Sequence, residues 1–305
     1  MLFEDILIAQ EPTIKADFRK LLDSAMKNQQ HPGDMLLWYN NGTYDEDVLN
    51  FQHPDPHQKY SPYVIGQHEI GHSEHTHYRF IHQYRTAYIS KSHANYLKEL
   101  EYPGGVYNEA HSKKVDELIE YEETTINLEM LVYLKFWESD SIIKKLYELV
   151  LLAHGEPYDW HFRFPKTLKD KSSDEKREQV IREKIRDRLG NFPEVQKTIQ
   201  ESYRPQIRNA IAHSRYAMQG RSIQLHNYFA NDPYSDIKSI TFDQWADRFH
   251  KTMILYNCYI EAGNSINEWY AKNTNENKFE IRIIYQNGQT FYRDLEYRQQ
   301  WNDWR

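Results

Sequence analysis

The chain has 305 residues, a formal net charge of −7 and a single cysteine, Cys258. That length suits one large domain or two of ordinary size, with enough core to need no covalent staples. One cysteine excludes an intrachain disulfide and points to a reducing compartment, while the acidity excludes a wholesale nucleic-acid coat.

The first residues carry Glu4, Asp5 and Glu11 without a basic region or a long apolar run, so they do not read as a signal peptide. No apolar stretch reaches the ~20 residues of a membrane span. Runs such as Leu149-Val150-Leu151-Leu152 are short helix faces. The expectation is a soluble, cytoplasmic protein with no membrane partner.

The predicted elements are mainly helical. Thr13 caps a helix over 13–28, with Ile14, Phe18, Leu21, Leu22 and Ala25 at helical spacing. Residues 31–66, rich in Pro, Gly, Asn, Asp and His, read as loop with short strands. One helix is expected over 70–101, broken by Pro103-Gly104-Gly105. A bundle pattern then begins: a helix over 110–138, a second starting at Ser139-Asp140 and ending at Gly155, and a loop over 156–172. A charged helix follows from Ser173 to Leu189, stopped by Gly190. Helical turns run from Pro193 toward Met218 with Pro205 inside, then short β segments at 223–225 and 237–240 and a long helix over 242–272. Two strands around Asn287-Gly288 close the chain as a hairpin. The expected division is 1–108, a helical and loop region of unassigned role; 109–272, a helical bundle; and 273–305, a hairpin tail. Trp301 and Trp304 are placed to cap that hairpin or dock on a partner. Tyr158-Asp159-Trp160-His161-Phe162 reads as a loop packed onto the bundle, with base stacking as the alternative.

Charge is uneven. Residues 163–221 hold 15 Lys/Arg against 8 acids, which is either a local phosphate-binding surface or a solvated helix of mixed charge. Within that stretch, Pro205 suits the first position of a helix, and Arg208 then falls near its N-terminus, where free N–H groups and the dipole favour phosphate. At 100° per residue, Ile207, Ala210, Ile211 and Ser214 form a core face. Asn209, His213 and Tyr216 share the outward side, flanked by Arg208 and Arg215. Such a group suits RNA phosphodiester cleavage. An unperturbed imidazole changes charge near neutrality, so His213 can act as acid or base on the ribose 2′-OH or the 5′-oxygen. Arg208 can hold the phosphate in two hydrogen bonds, and Asn209 can orient either. Arg204, Arg215 and Tyr216 are the candidate substrate-binding residues. RNA supplies the nucleophile, so the product is a 2′,3′-cyclic phosphate and no cofactor is called for.

Arg208-Asn209-Ala210-Ile211-Ala212-His213 resembles the Arg-x4–6-His motif of HEPN domains, including the Asn that commonly follows the Arg. The surrounding order of helices is similar, and the resemblance covers about 110–272. It implies a HEPN-like helical bundle, with a helical N-terminal extension and a small C-terminal β hairpin outside it. It also implies a homodimer joining two Arg/His sets in one cleft, and an endoribonuclease of a toxin or defence system with an antitoxin or regulatory partner. The family also contains catalytically silent members that bind a nucleotide or protein partner. Many toxin members carry Tyr two residues after the His; here Arg215 stands there and Tyr216 follows.

A competing string is His68-Glu69-Ile70-Gly71-His72, which on a helix would offer His68 and His72 to zinc with Glu69 as base. It lies in a cluster of eight of the 15 histidines: His53, His57, His68, His72, His75, His77, His82 and His93. Glu74 stands where such helices carry an apolar residue, His75 and Tyr78 occupy the positions of the longer motif's Gly and third His, and Gly66 and Gly71 disfavour a helix. Glu99 or Glu101 would have to supply a third ligand. Solvated or satisfied histidines are the stronger expectation.

Overall fold

A computed structural model describes residues 1–50, 61–66, 72–87, 89–90, 92–101, 108–164 and 176–305. The chain is mainly helical with small sheets, most of them antiparallel. Strand β1 (Leu2–Phe3) leads into α1 (Glu4–Asn28), which starts nine residues before the expected Thr13 and carries Pro12 inside it. Glu4 and Asp5 occupy its first turn, where the positive end of the helix dipole favours acids. Helix α2 (Asp34–Tyr39) is followed by β2 (Thr43–Tyr44), which pairs with β3 (Tyr63–Val64).

The single helix expected over 70–101 is two helices, α3 (His72–Ala87) and α4 (His93–Leu100), with β4 (Ile89–Ser90) parallel to β1 between them. Ser92 is extended and its Oγ accepts from the Asn95 N–H. A second cap comes from far away: the Asp5 carboxylate accepts from the His93 N–H at 2.8 Å, the Ala94 N–H at 3.2 Å and the Ser92 hydroxyl at 2.9 Å. Burial works to raise the Asp5 pKa, but the bonds from His93, Ser92, Ala94 and Ile6 overcome it and hold it at about 2.

Helix α5 (Glu109–Trp137) is capped by Asn108, and α6 (Asp140–Ala153) follows. Short α7 (Arg177–Gln179) continues as a π turn over Val180–Ile185 and a 3-10 turn over Arg186–Arg188. Next come α8 (Pro193–Ser202), α9 (Pro205–Ala212), β5 (Tyr216–Met218), β6 (Ser222–Leu225) and β7 (Ser239–Thr241); the three strands form one antiparallel sheet. Thr241 and Gln244 exchange side-chain bonds with each other's N–H, a capping box that starts α10 (Phe242–Lys272). The chain closes with β8 (Lys278–Ile284), β9 (Thr290–Arg298) and β10 (Asp303–Trp304).

Contacts group the chain into two compact units, each drawing on early, middle and late segments. The first comprises Met1–Ala16, His77–Ser139 and Pro193–Asn257. Its core combines Tyr133, Phe136 and Trp137 of α5, Ile199 of α8, Ile207 and Ala210 of α9, and Trp245 and Phe249 of α10, all at most 1% exposed.

The second comprises Asp17–Thr76, Asp140–Phe192 and Cys258–Arg305. Eleven of the 14 residues of α6 are buried, so this helix is enclosed on every side. All of α2 is buried too, and a Cβ at Gly33 would run into the Glu280 carbonyl oxygen; only glycine lets the start of α2 approach β8 so closely. The outer edge of β8 is covered: Trp160 Nε1 donates to the Arg282 carbonyl at 3.1 Å, and His161 Nε2 meets the Ile284 carbonyl at 3.1 Å. Tyr158 and Trp160 are buried, so the aromatic loop packs inward as expected. The hairpin is present, with Gly288 at φ 79° in the left-handed position its loop demands. Trp304 is buried and donates to Asn267 Oδ1, whereas Trp301 is exposed under the Arg298 guanidinium. Among the described residues, no helix is long and apolar enough to cross a membrane.

Candidate functional site on helix α9

Pro205 opens α9 as expected, and drives Arg204 before it into an extended conformation. The end of α8 just upstream is held by one buried and one half-buried side chain. Tyr133 donates its hydroxyl to the Ser202 carbonyl at 3.0 Å, and Arg248 Nη1 donates to the carbonyls of Glu201 and Ser202. A guanidinium at a helix C-terminus satisfies carbonyls that have no partner within the helix. Ile207, Ala210 and Ile211 face the core as the 100° spacing predicts.

The helix does not run toward Met218. It ends at Ala212, with His213 as the C-cap and Ser214 at φ 51°. The Ser214 N–H bonds the Ile211 carbonyl at 3.2 Å and the Arg215 N–H bonds the Ala210 carbonyl at 2.7 Å. This is a Schellman turn with serine in the left-handed position. An L-residue there costs ~1–2 kcal/mol, and Ser214 is exposed. Ser214→Gly is therefore expected to stabilise the protein by about 0.5–1 kcal/mol after glycine's own entropy cost. Urea denaturation would read this, and a loss of stability would refute the strained-turn account.

That turn redistributes the predicted site. Asn209 and His213 stay together, one helical turn apart, joined by the His213 N–H bond to the Asn209 carbonyl at 3.1 Å. Ser214 leaves the core face, and Tyr216 leaves the Asn209/His213 side: it lies in β5 and donates its hydroxyl to Asn127 Oδ1 at 2.9 Å. Arg208 Nε pairs with Glu138 Oε1 at 3.0 Å, at the C-cap of α5, with the side chains 20% and 30% exposed. The two atoms stand at ion-pair distance without the alignment of a hydrogen bond. Arg204 pairs with Asp236 at 2.9 Å. Arg215 is exposed and has no carboxylate partner among the described residues; the side chains of Asn209 and His213 also have none. Five residues apart, Arg208 and His213 leave the axis at about 140° to one another, so one copy of α9 spreads them rather than converging them.

The basic segment is largely neutralised from within. Arg221 takes both oxygens of Glu122 and also Asp243. In the second unit, Arg177 pairs with Asp140, Arg182 with Glu178 and Glu183, Arg186 with Asp187, and Arg188 with Glu156. A mixed-charge surface thus accounts for residues 176–188, whereas Arg215, just past the end of α9, is exposed.

Sequence reasoning missed Glu138, Asp236 and Asn127 because each lies on a different segment from the arginine or tyrosine it holds. Of the zinc alternative, His68 and Glu69 lie outside the described residues, and His72 is the first residue of α3. His77 meets Lys135 and His93 meets Asp243. Among the described residues, no group of three or more His, Cys, Asp or Glu is placed to hold a metal ion.

No family model, curated protein or solved structure matches the chain. The functional reading therefore stands on the residues themselves.

Proposed function

We propose that the chain is a metal-independent endoribonuclease with a HEPN-like bundle, acting as a homodimer in a toxin or defence setting under an antitoxin or regulatory partner. The observation that carries this reading is the open trio at the end of α9: His213 and Arg215 exposed, Asn209 one turn earlier, their side chains without a hydrogen-bond or ion-pair partner among the described residues. His213 takes the proton of a ribose 2′-OH, whose oxygen attacks the adjacent phosphorus. The P–O5′ bond breaks, the leaving 5′-oxygen is protonated, and a 2′,3′-cyclic phosphate remains. Arg208 holds the phosphate by its Nη edge while Glu138 fixes its Nε edge, which makes Glu138 a positioning residue. The 140° spread of Arg208 and His213 supports a cleft built from two copies of α9, each supplying one of the two groups.

A second reading is favoured by the ion pairs of Arg204 and Arg208 and the Tyr216 bond to Asn127: a catalytically silent scaffold that binds a nucleotide or protein partner. One experiment separates the two. Wild type, His213→Ala and Arg208→Ala are incubated with a mixed RNA pool in EDTA, and the product ends are analysed. The expected result is EDTA-resistant cleavage to cyclic phosphate, reduced by about 10²–10⁴-fold in His213→Ala and strongly reduced in Arg208→Ala. No cleavage, or equal cleavage by all three proteins, would sink the ribonuclease and leave the scaffold.

A further inference from the structure

The segment between β6 and β7 is fastened to α9 at both ends. On the entering side, the His226 N–H donates to the Arg215 carbonyl at 2.8 Å, and Asn227 Nδ2 donates to the Gln206 carbonyl at 2.8 Å. On the leaving side, Gln206, 2% exposed, spends both ends of its amide on one residue. Its Nε2 donates to the Ile237 carbonyl at 2.7 Å and its Oε1 accepts from the Ile237 N–H at 3.1 Å. Arg204 adds its pair with Asp236. Between these anchors the loop closes on itself: the Phe229 N–H bonds the Ser235 carbonyl, the Ser235 N–H bonds the Asp232 carbonyl, and the Asp232 carboxylate takes the Tyr234 N–H. A loop with this much internal bonding holds its shape.

Three aromatic rings nevertheless face outward from it: Tyr228 at 40% exposed, Phe229 at 64% and Tyr234 at 59%. Of the loop's two acids, Asp236 is paired with Arg204, and Asp232 is turned to the loop's own backbone, where it accepts from the Tyr234 N–H. The chain from Ser202 to Asn231 contains four arginines and no acid. Exposed ring faces on a loop whose backbone is bonded to that of Arg215 match a ligand with flat bases strung on phosphates, and outward rings reach bases only when these are unpaired.

We propose that the loop from His226 to Lys238 is a base-stacking platform for single-stranded RNA, with Phe229 and Tyr234 taking bases and Arg215 a phosphate. This rests on the RNA reading of α9 but not on its catalysis. The platform would place unpaired nucleotides next to the strand segment that meets His213, and so select single-stranded over duplex substrate.

The test uses the full chain and a fluorescein-labelled 2′-O-methyl RNA of about 12 nucleotides, which has no free 2′-OH and cannot be cut. Fluorescence anisotropy is read for wild type, Phe229→Ala/Tyr234→Ala and Phe229→Trp, with size-exclusion chromatography of each. The double alanine variant is expected to bind about tenfold or more weakly, the aromatic replacement Phe229→Trp to retain binding, and the same strand in a duplex to bind poorly. Loss of binding in the double variant alongside a wild type that cuts no RNA would keep the platform and remove the nuclease. Unchanged binding in the double variant, or no binding by wild type, would overturn the platform. A double variant that falls from dimer to monomer with RNA affinity intact would also overturn it, reassigning the rings to contact with a second copy.

Discussion

Glu129→Leu is expected to destabilise the first unit by about 3–5 kcal/mol, although the replacement is apolar and of similar size. Glu129 lies on α5 and is 2% exposed. Its Oε1 accepts from the Tyr84 hydroxyl at 3.1 Å and its Oε2 from Trp245 Nε1 at 2.7 Å; the Met1 amino group meets the same carboxylate. Tyr84 and Trp245 are themselves buried. A leucine at 129 fills the volume but removes the acceptor from both buried donors, each at a cost of ~1–3 kcal/mol. A double-mutant cycle distinguishes this from a packing defect. Tyr84→Phe alone should cost about 1 kcal/mol, yet be neutral or stabilising once Glu129 is leucine, because the orphaned hydroxyl is then removed. Urea unfolding followed by tryptophan fluorescence would measure all four proteins. Additive costs, or a loss under 1 kcal/mol in Glu129→Leu, would refute the hub.

Helical spacing puts Glu129 on the same face as Ile126, Tyr133 and Phe136, but nothing local says what satisfies its carboxylate there, because the partners lie 45 and 116 residues away. The same limit explains the two largest misreadings of the elements. The break between α3 and α4 depends on Asp5, 87 residues before Ser92; Ser92 alone was a weaker signal than the apolar spacing that ran across it. The end of α9 is more instructive because an identical device occurs at the end of α6. There the Gly155 N–H bonds the Leu152 carbonyl and the Glu156 N–H bonds the Leu151 carbonyl, with Gly155 at φ 74°. Glycine announces that Schellman turn in the sequence. Ser214 makes the same turn at φ 51° without announcing it, so helical spacing carries the helix past its end, and Tyr216 stands in β5 instead. Where the device is local and uses the favoured residue, the sequence suffices: Pro205 opening α9, the start of α10 at Phe242, and Gly288 in the hairpin all fall as read. For the site, the identity and outward placement of Asn209 and His213 were legible from helical spacing. The Glu138 clamp on Arg208 and the Gln206 latch on the aromatic loop were not, since both are contacts between separate segments.

In the second unit, Lys145→Met should leave the protein as stable at pH 7 or more so, by up to about 3 kcal/mol, and flatten its dependence on pH above 7. Lys145 Nζ donates to the Tyr39 carbonyl at 2.9 Å and stands 5.1 Å from the Trp38 ring centre, 5.5 Å from Tyr259 and 5.9 Å from Tyr39. Those ring faces attract an ammonium, but burial outweighs them, and the neighbouring Lys144 adds repulsion, so the amine falls from 10.5 to about 7. The folded pKa lies below the unfolded one, and the unfolded chain therefore binds more protons between the two values. The stability this group contributes is complete above about pH 10.5 and is lost as pH falls through about 7. Within that window the slope from one such group is about 1.4 kcal/mol per pH unit. Methionine keeps the stem and the ring contacts and carries no proton to bind. It gives up the bond to the Tyr39 carbonyl at a cost of ~1 kcal/mol, less than the desolvation it avoids. The difference in unfolding free energy between wild type and Lys145→Met, measured from pH 7 to pH 9, should therefore shift toward wild type as pH rises. A difference that does not change over that range would mean that Lys145 keeps its charge in the folded state and that the three rings, not burial, set its protonation.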